Sequence, residues 1–336
     1  MSRVIVTGGE GFIGSNFIKL LLNETNYDVV NLDARKYSGQ GNNTAHMGLD
    51  KHPRYQSVQG DICDCGMLTQ LIQKGDFIVN FAAESHVDRS VEEGAALEFL
   101  TNNTLGTLLL LEESRRKSVE RFVQISTDEV YGSLPDAKKK SVESDGIRSG
   151  NPYSASKAAA EQFVLAYANT FKDFDCVITR SSNNYGPYQF PEKFIPVAIT
   201  ELLTGRKIPI YGVGDQKRDW IYVEDNCRGI LKVMEEGRRG EVFNIGGGNE
   251  LSNMDLAVEI LRMVGFDPND CTRRVEFVRD RLGHDFRYSL DCSKIEYDLQ
   301  WKPRVSFEQG LQETVEWYKK NRAWWEPLKP KPKDVK

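Results

Sequence analysis

Apolar runs of strand length alternate with segments of helical spacing along the first half of this chain. "RVIVTG" is a short apolar run closed by glycine, and Phe17, Leu20 and Leu21 in "GSNFIKLLLNE" recur at helical intervals. "YDVVNLD", "RYQSVQGDI", "DFIVNFAAES", "RFVQIST" and "DCVITRSS" predict further strands. Between them "MLTQLIQKG" predicts a short amphipathic helix, and "ALEFLTNNTLGTLLLLEESRRK" and "PYSASKAAAEQFVLAYANTF" predict long ones, the last with proline at its start. Continuous apolar strands alternating with helices imply a parallel sheet covered on both faces.

The texture changes after Tyr185. Prolines 187, 191, 196 and 209 and glycines 186, 205, 212 and 214 interrupt the beat. Helical spacing returns in "KFIPVAITELLTG", "NCRGILKVMEEG", "NMDLAVEILRMVG" and "FEQGLQETVEWYKKN". The expected organisation is a sheet domain over 1–184, with later segments near 220–255 returning to it. A smaller α/β unit over 185–325 closes one end of the sheet, and 326–336 form a Lys/Pro-rich tail expected to be disordered.

Composition narrows the function classes. The chain has 336 residues, 28% of them charged, and a net charge of -5, which argues against a nucleic-acid surface. Cysteines 63, 65, 176, 227, 271 and 292 and histidines 46, 52, 86 and 284 show no zinc spacing, so no metal site is expected and the thiols are read as free. Without a secretory signal or long apolar span, a cytoplasmic enzyme off the membrane is expected.

"VTGGEGFIGS" supplies candidate chemistry. Gly8, Gly11 and Gly14 stand between the first strand and the first helix, with Phe12 and Ile13 among them. This is the turn on which a dinucleotide pyrophosphate rests: one glycine for the bend, one for close backbone approach, one for helix–strand packing. Asp33 ends the second strand, where a carboxylate can accept the hydroxyls of an adenosine ribose. The fold class that follows is a Rossmann-type doubly wound sheet. Asp33 favours NAD over NADP, while Arg35 and Lys36 could pair with a 2′-phosphate. Asp61 and Ile62 are candidates to flank the adenine, and Ala82, Ala83 and Ser85 to run beside the phosphates and ribose.

Tyr153 and Lys157, four apart in a predicted helix, share a face. A lysine ammonium favours the phenolate, so Tyr153 can serve as a base, and Lys157 can hold the nicotinamide ribose. A surface tyrosine near a lysine would look the same in isolation. In "QISTDEVYGS", Asp128 and Glu129 sit side by side at a strand end. Adjacent carboxylates repel and are costly to desolvate, which makes the pair conspicuous.

The ordered motifs "TGGEGFIGS", "AAESHVDRS", "ISTDEVYG", "NPYSASKAAAE", "SSNNYGPYQFPEKFIP", "GDQKRDWIYVEDN", "FNIGGGNE" and "DRLGHDFRYSLD" span residues 7–291. Through them the chain resembles the extended short-chain dehydrogenase/reductases that act on nucleotide sugars, and within these the 4,6-dehydratases of dTDP-glucose. The resemblance implies C4 oxidation by NAD, loss of water across C5 and C6, and hydride return to C6. It implies Asp128 as acid, Glu129 as base, and Thr127 beside Tyr153 at the C4 oxygen. It places Asn184 near the nicotinamide, and Ser85, Asn183, Lys193, Phe194, Pro209, Tyr211, Arg218, Asn253, Arg281 and His284 around the nucleotide sugar. It also implies a homodimer joined by a four-helix bundle, built from the helix around Leu97–Arg115 and the one carrying Tyr153. The chain departs from the pattern at Leu282, where proline is usual, and at Ala34, Gln40 and Ser181. Enzymes acting on UDP-glucose share the threonine–aspartate–glutamate triplet, so the nucleobase stays open, with "YGPYQFPEK" leaning towards thymidine.

Overall fold

The computed structural model describes residues 2–135, 138–280 and 283–329, Ser38 by its backbone alone. The strands are β1 (Arg3–Thr7), β2 (Asp28–Asp33), β3 (Tyr55–Gln59), β4 (Phe77–Asn80), β5 (Arg121–Thr127), β6 (Cys176–Ser181) and β7 (Asn183–Tyr185). They continue as β8 (Ile208–Tyr211), β9 (Lys217–Tyr222), β10 (Val242–Ile245), β11 (Glu250–Ser252) and β12 (Val275–Val278).

A parallel sheet in the order β10-β6-β5-β4-β1-β2-β3 forms the centre. The apolar runs make this possible because alternate side chains feed opposite faces. Val4, Val6, Val79 and Val177 join Phe17, Leu21, Ile230 and Val233 of helices Phe12–Glu24 and Val223–Glu236 on one face. Ile5, Ile78, Cys176 and Ile178 join Leu68, Leu110, Leu111 and Val164 of helices Cys65–Leu71, Gly106–Lys117 and Pro152–Thr170 on the other. From β1 the strand order runs to β2 on one side and β4 on the other, so a crevice opens at the carboxyl ends there.

β10 pairs with β6 although it follows the break at 185, Val242 lying opposite Ile178. The remaining segments build two small sheets, β11-β9-β7 and β12-β8. Helices Phe194–Leu203, Asn253–Val264 and Phe307–Lys320 pack with them around a separate core containing Trp220, Leu256, Leu311 and Trp325. Lys329, the last described residue, pairs with Glu201 at 2.8 Å.

One predicted helix differs in kind. Between Ala96–Phe99 and Gly106–Lys117 the chain winds as a π-helix over Leu100–Leu105. Asn103 there exchanges hydrogen bonds with the Glu84 backbone and donates to Ser156 Oγ at 2.9 Å, while Thr104 Oγ1 donates to Ser156 O at 2.9 Å. The wider turn serves contacts to β4's end and the Tyr153 helix, a use typical of π-bulges.

Candidate active site

At the end of β1, Gly8 takes φ +68°, and a Cβ there would lie 2.7 Å from the Ala82 nitrogen. A Cβ on Gly14 would lie 2.4 Å from the Gly8 carbonyl oxygen. Gly11 caps helix Phe12–Glu24 and leaves its first N–H groups facing a cavity of about 440 Å³. Gly8, Gly11, Phe12, Ile13 and Gly14 line one end of it, with Asp33, Lys36, Asp61, Ile62, Ala82, Ala83 and Ser85. Asp33 accepts from the backbone N–H groups of Glu10 and Arg35 at 2.8 and 2.6 Å, and burial pushes its carboxyl upward. This cradle fits a dinucleotide, its carboxylate placed for a ribose. Of the cations of "ARK", Lys36 pairs with Asp61 at 2.8 Å, while Arg35 Nη2 donates to Ser57 Oγ at 3.3 Å and lies 4.0 Å from Glu10 Oε1.

β5 delivers the second group. Thr127 ends the strand, and its Oγ1 accepts from Glu129 N–H at 3.2 Å, opening the tight turn Asp128–Tyr131. Thr127 and Glu129 line the cavity. Asp128, between them in the chain, is 3% exposed, with Thr127 Oγ1 donating to its Oδ1 at 3.3 Å and no hydrogen bond at Oδ2. Burial, then the charges of Glu129 and Asp219, hold its carboxyl well above the usual carboxylate range, and Arg218 offsets this only in part.

Helix Pro152–Thr170 starts with a capping box in which Asn151 Oδ1 accepts from Ser154 N–H at 2.9 Å. It points Tyr153 and Lys157 into the cavity, both largely buried. Lys157 Nζ donates to Ile125 O at 2.7 Å. Burial lowers the lysine to about 8, with Glu161 pulling the other way. The lowering of Tyr153 expected from Lys157 is not seen. Burial and the Glu129 charge push the phenol up, against a hydrogen bond from Thr127.

The other end of the cavity is lined by Asn183 and Asn184 of β7, Lys193 and Phe194 at the start of a helix, Pro209 and Tyr211 of β8, Arg218 of β9, Asn253 and His284. Arg281 and Leu282 lie outside the described residues. Arg218 donates to the carbonyls of Lys217, Asp285 and Phe286 at 2.8, 2.8 and 3.2 Å and stacks 4.5 Å from the Tyr288 ring centre. Lys193 Nζ donates to Ser85 O at 2.7 Å, tying the two ends together. His284 Nδ1 and Asp280 Oδ1 lie 2.6 Å apart. Among the described residues no group of His, Cys, Asp and Glu could hold a metal ion.

Sequence reasoning missed Asn151, whose Nδ2 donates to Glu129 Oε2 at 3.4 Å, and the wall residues Tyr288, Asp285 and Glu192. An asparagine before the first proline of a helix is an N-cap signal, so Asn151 was within reach. Nothing local marked the other three.

The family model described as GDP-mannose 4,6 dehydratase matches residues 5–314. The chain belongs to that family. A dTDP-glucose 4,6-dehydratase of Streptomyces niveus is 47% identical over 332 residues, covering 97% of this chain and 96% of the relative. The solved structure of DesIV, a dTDP-glucose 4,6-dehydratase of Streptomyces venezuelae with NAD and TYD bound, superposes with a TM-score of 0.92 at 46% identity, covering 97% of this chain and all of that one. A UDP-glucuronic acid 4-epimerase of Bacillus cereus reaches 0.87 at 28% identity over 95% of this chain and 99% of its own. The family therefore shares its frame with epimerases, and what separates the chemistries has to be sought in the side chains.

Proposed function

We propose that this chain is an enzyme that dehydrates dTDP-glucose to dTDP-4-keto-6-deoxyglucose. The observation that carries the reading is the divided environment of the carboxylate pair. Asp128 is buried, its carboxyl raised well above the usual carboxylate range, while Glu129 faces the cavity that Tyr153 also lines. One acid and one base with separated pKa values are what an elimination across adjacent carbons needs. A 4-epimerase needs the tyrosine and the cofactor but no elimination pair.

Gly8, Gly11, Phe12, Ile13, Gly14, Asp33, Asp61, Ile62, Ala82, Ala83 and Asn184 would hold NAD, joined by Lys36 and Ser85, with Lys157 at the nicotinamide ribose. Bound there, NAD would supply the hydride acceptor for C4 oxidation and the donor for its return to C6. Tyr153 takes the proton of the C4 hydroxyl, with Thr127 Oγ1 beside it. The resulting ketone acidifies C5; Glu129 removes that proton, Asp128 protonates the C6 oxygen as it leaves as water, and C5 takes a proton back from Glu129, after exchange with solvent, when the hydride reaches C6. Arg218 and Lys193 neutralise the pyrophosphate, with Asn183, Phe194, Pro209, Tyr211, Asn253 and His284 around sugar and base. Thymidine as the base is supported by the names of the relatives.

Asp128→Asn is the decisive test. The variant should still form reduced nicotinamide from dTDP-glucose while product formation falls about a hundredfold or more. A variant that fails to oxidise but eliminates normally would refute the assignment. Competition between dTDP- and UDP-glucose tests the base, and a lower kcat/KM for dTDP-glucose would overturn thymidine. The exposed leucines of the Leu97–Arg115 segment support a homodimer, and six free cysteines support a cytoplasmic setting.

A further inference from the structure

Behind the carboxylate turn lies a buried polar cluster that the proposed reaction does not use. The turn Asp128–Tyr131 ends in a buried tyrosine whose hydroxyl donates to Asn244 Oδ1 of β10 at 2.8 Å. The Arg180 guanidinium of β6 lies over the ring, 4.6 Å from its centre. Arg180 is gripped by Glu161 of the Tyr153 helix: Nε donates to both carboxylate oxygens at 3.1 Å and Nη2 to Oε2 at 2.7 Å. The two side chains are 3% and 0% exposed. Asn244 Nδ2 in turn donates to Ser141 O and Asp291 O at 3.0 and 3.1 Å, so the tyrosine's acceptor is itself fixed.

An ion pair this deep loses several kcal/mol of hydration per charge, and apolar residues of the same volume often stabilise a fold as well or better. What the ion pair adds is directional geometry. A planar fork on a carboxylate, with a ring under its face, has one geometry. The location matters equally. Positions 153, 157 and 161 follow one face of the same helix, so Glu161 shares a rigid element with Tyr153 and Lys157. Through Arg180 and Tyr131 that element reaches the turn bearing Asp128 and Glu129. Tyr153 and Lys157 have their own supports, the capping box and the Ile125 carbonyl. The carboxylate turn is only four residues long: Thr127 opens it, Asn151 Nδ2 reaches Glu129, Arg148 N–H donates to Val130 O at 2.9 Å, and Tyr131 ties its far end to Asn244.

We propose that Tyr131, Arg180 and Glu161 form a positioning clamp that keeps Asp128 and Glu129 in register with Tyr153, so that elimination depends on it far more than oxidation does. The inference rests on the dehydratase reading above. None of the three side chains touches the reacting atoms; each acts through the turn.

The test separates the two half-reactions in NAD-loaded protein mixed with dTDP-glucose in deuterated water. Absorbance of reduced nicotinamide follows oxidation, and deuterium at C5 of the product follows elimination. Tyr131→Phe keeps the ring and removes only the hydroxyl; Arg180→Lys keeps a cation and removes the fork. In each, oxidation and KM should stay within about threefold while elimination slows about tenfold to a hundredfold, so reduced nicotinamide accumulates. A cluster that merely stabilises the fold would lower the melting temperature and slow both steps in proportion, or neither; either result overturns the clamp. Should Tyr131→Phe fail to fold, the same split is read in Arg180→Lys. Unaltered protein that neither reduces its cofactor nor forms product would instead sink the dehydratase reading, a result distinct from a proportional slowing.

Discussion

Asp128 is the residue where function and stability conflict. Its folded-state carboxyl is raised above the unfolded value of about 3.9. For an acid raised in this way the protonated, cost-free form prevails below the unfolded pKa, and stability is lost as pH rises through the folded one. Asp128→Asn should therefore raise the melting temperature near pH 8 by about 2–4 °C and change it little near pH 4, by thermal unfolding followed across pH. Lys157 has the opposite sign. Its value falls to about 8, so the cost of a buried ammonium is fully present below that pH and is relieved above it. Since the proposed role needs the ammonium, the rate of nicotinamide reduction should fall as pH rises through about 8.

At the level of elements, the glycine turn and the long helix behave differently. The turn is a local device: Gly14 lets the helix Phe12–Glu24 rest on the Gly8 carbonyl at a distance no Cβ allows. Gly14→Ala should destabilise the protein by about 1–3 kcal/mol and reduce the NAD that copurifies with it, read by denaturant unfolding and by nucleotide content after precipitation. The helix over 96–117 is a local prediction altered from outside. Its periodicity predicts an uninterrupted α-helix, and the π segment follows the demand of Asn103 and Thr104 for partners at Glu84 and Ser156. Of its four consecutive leucines, Leu110 and Leu111 go into the sheet core, while Leu108 and Leu109 are half-buried.

At the level of the whole molecule, side chains of the two long helices that face away from the sheet remain to be covered. Leu97, Leu100, Leu105 and Phe163 are 68, 51, 45 and 38% exposed, a set that supports the proposed four-helix interface with a second copy. Light scattering at micromolar concentration should give the dimer mass for the unaltered chain and the monomer mass for the double variant Leu97→Glu and Leu100→Glu. A monomer before substitution would count against the dimer.

The βαβ alternation, the glycine turn with Asp33, and the Tyr153–Lys157 spacing were legible in the sequence because each depends on repeats and offsets within one element or two adjoining ones. Which groups would stand beside them was not. The pairing of Lys36 with Asp61, the approach of Asn151 to Glu129, the Asp219 and Arg218 charges that act on buried Asp128, and the grip of Glu161 and Arg180 on Tyr131 join segments remote in sequence. Sequence alone determined that two carboxyl groups would meet at the end of β5. Only the tertiary structure decided that one would be buried with its pKa raised and the other would face the cavity, because desolvation and neighbouring charge are properties of the packed surroundings.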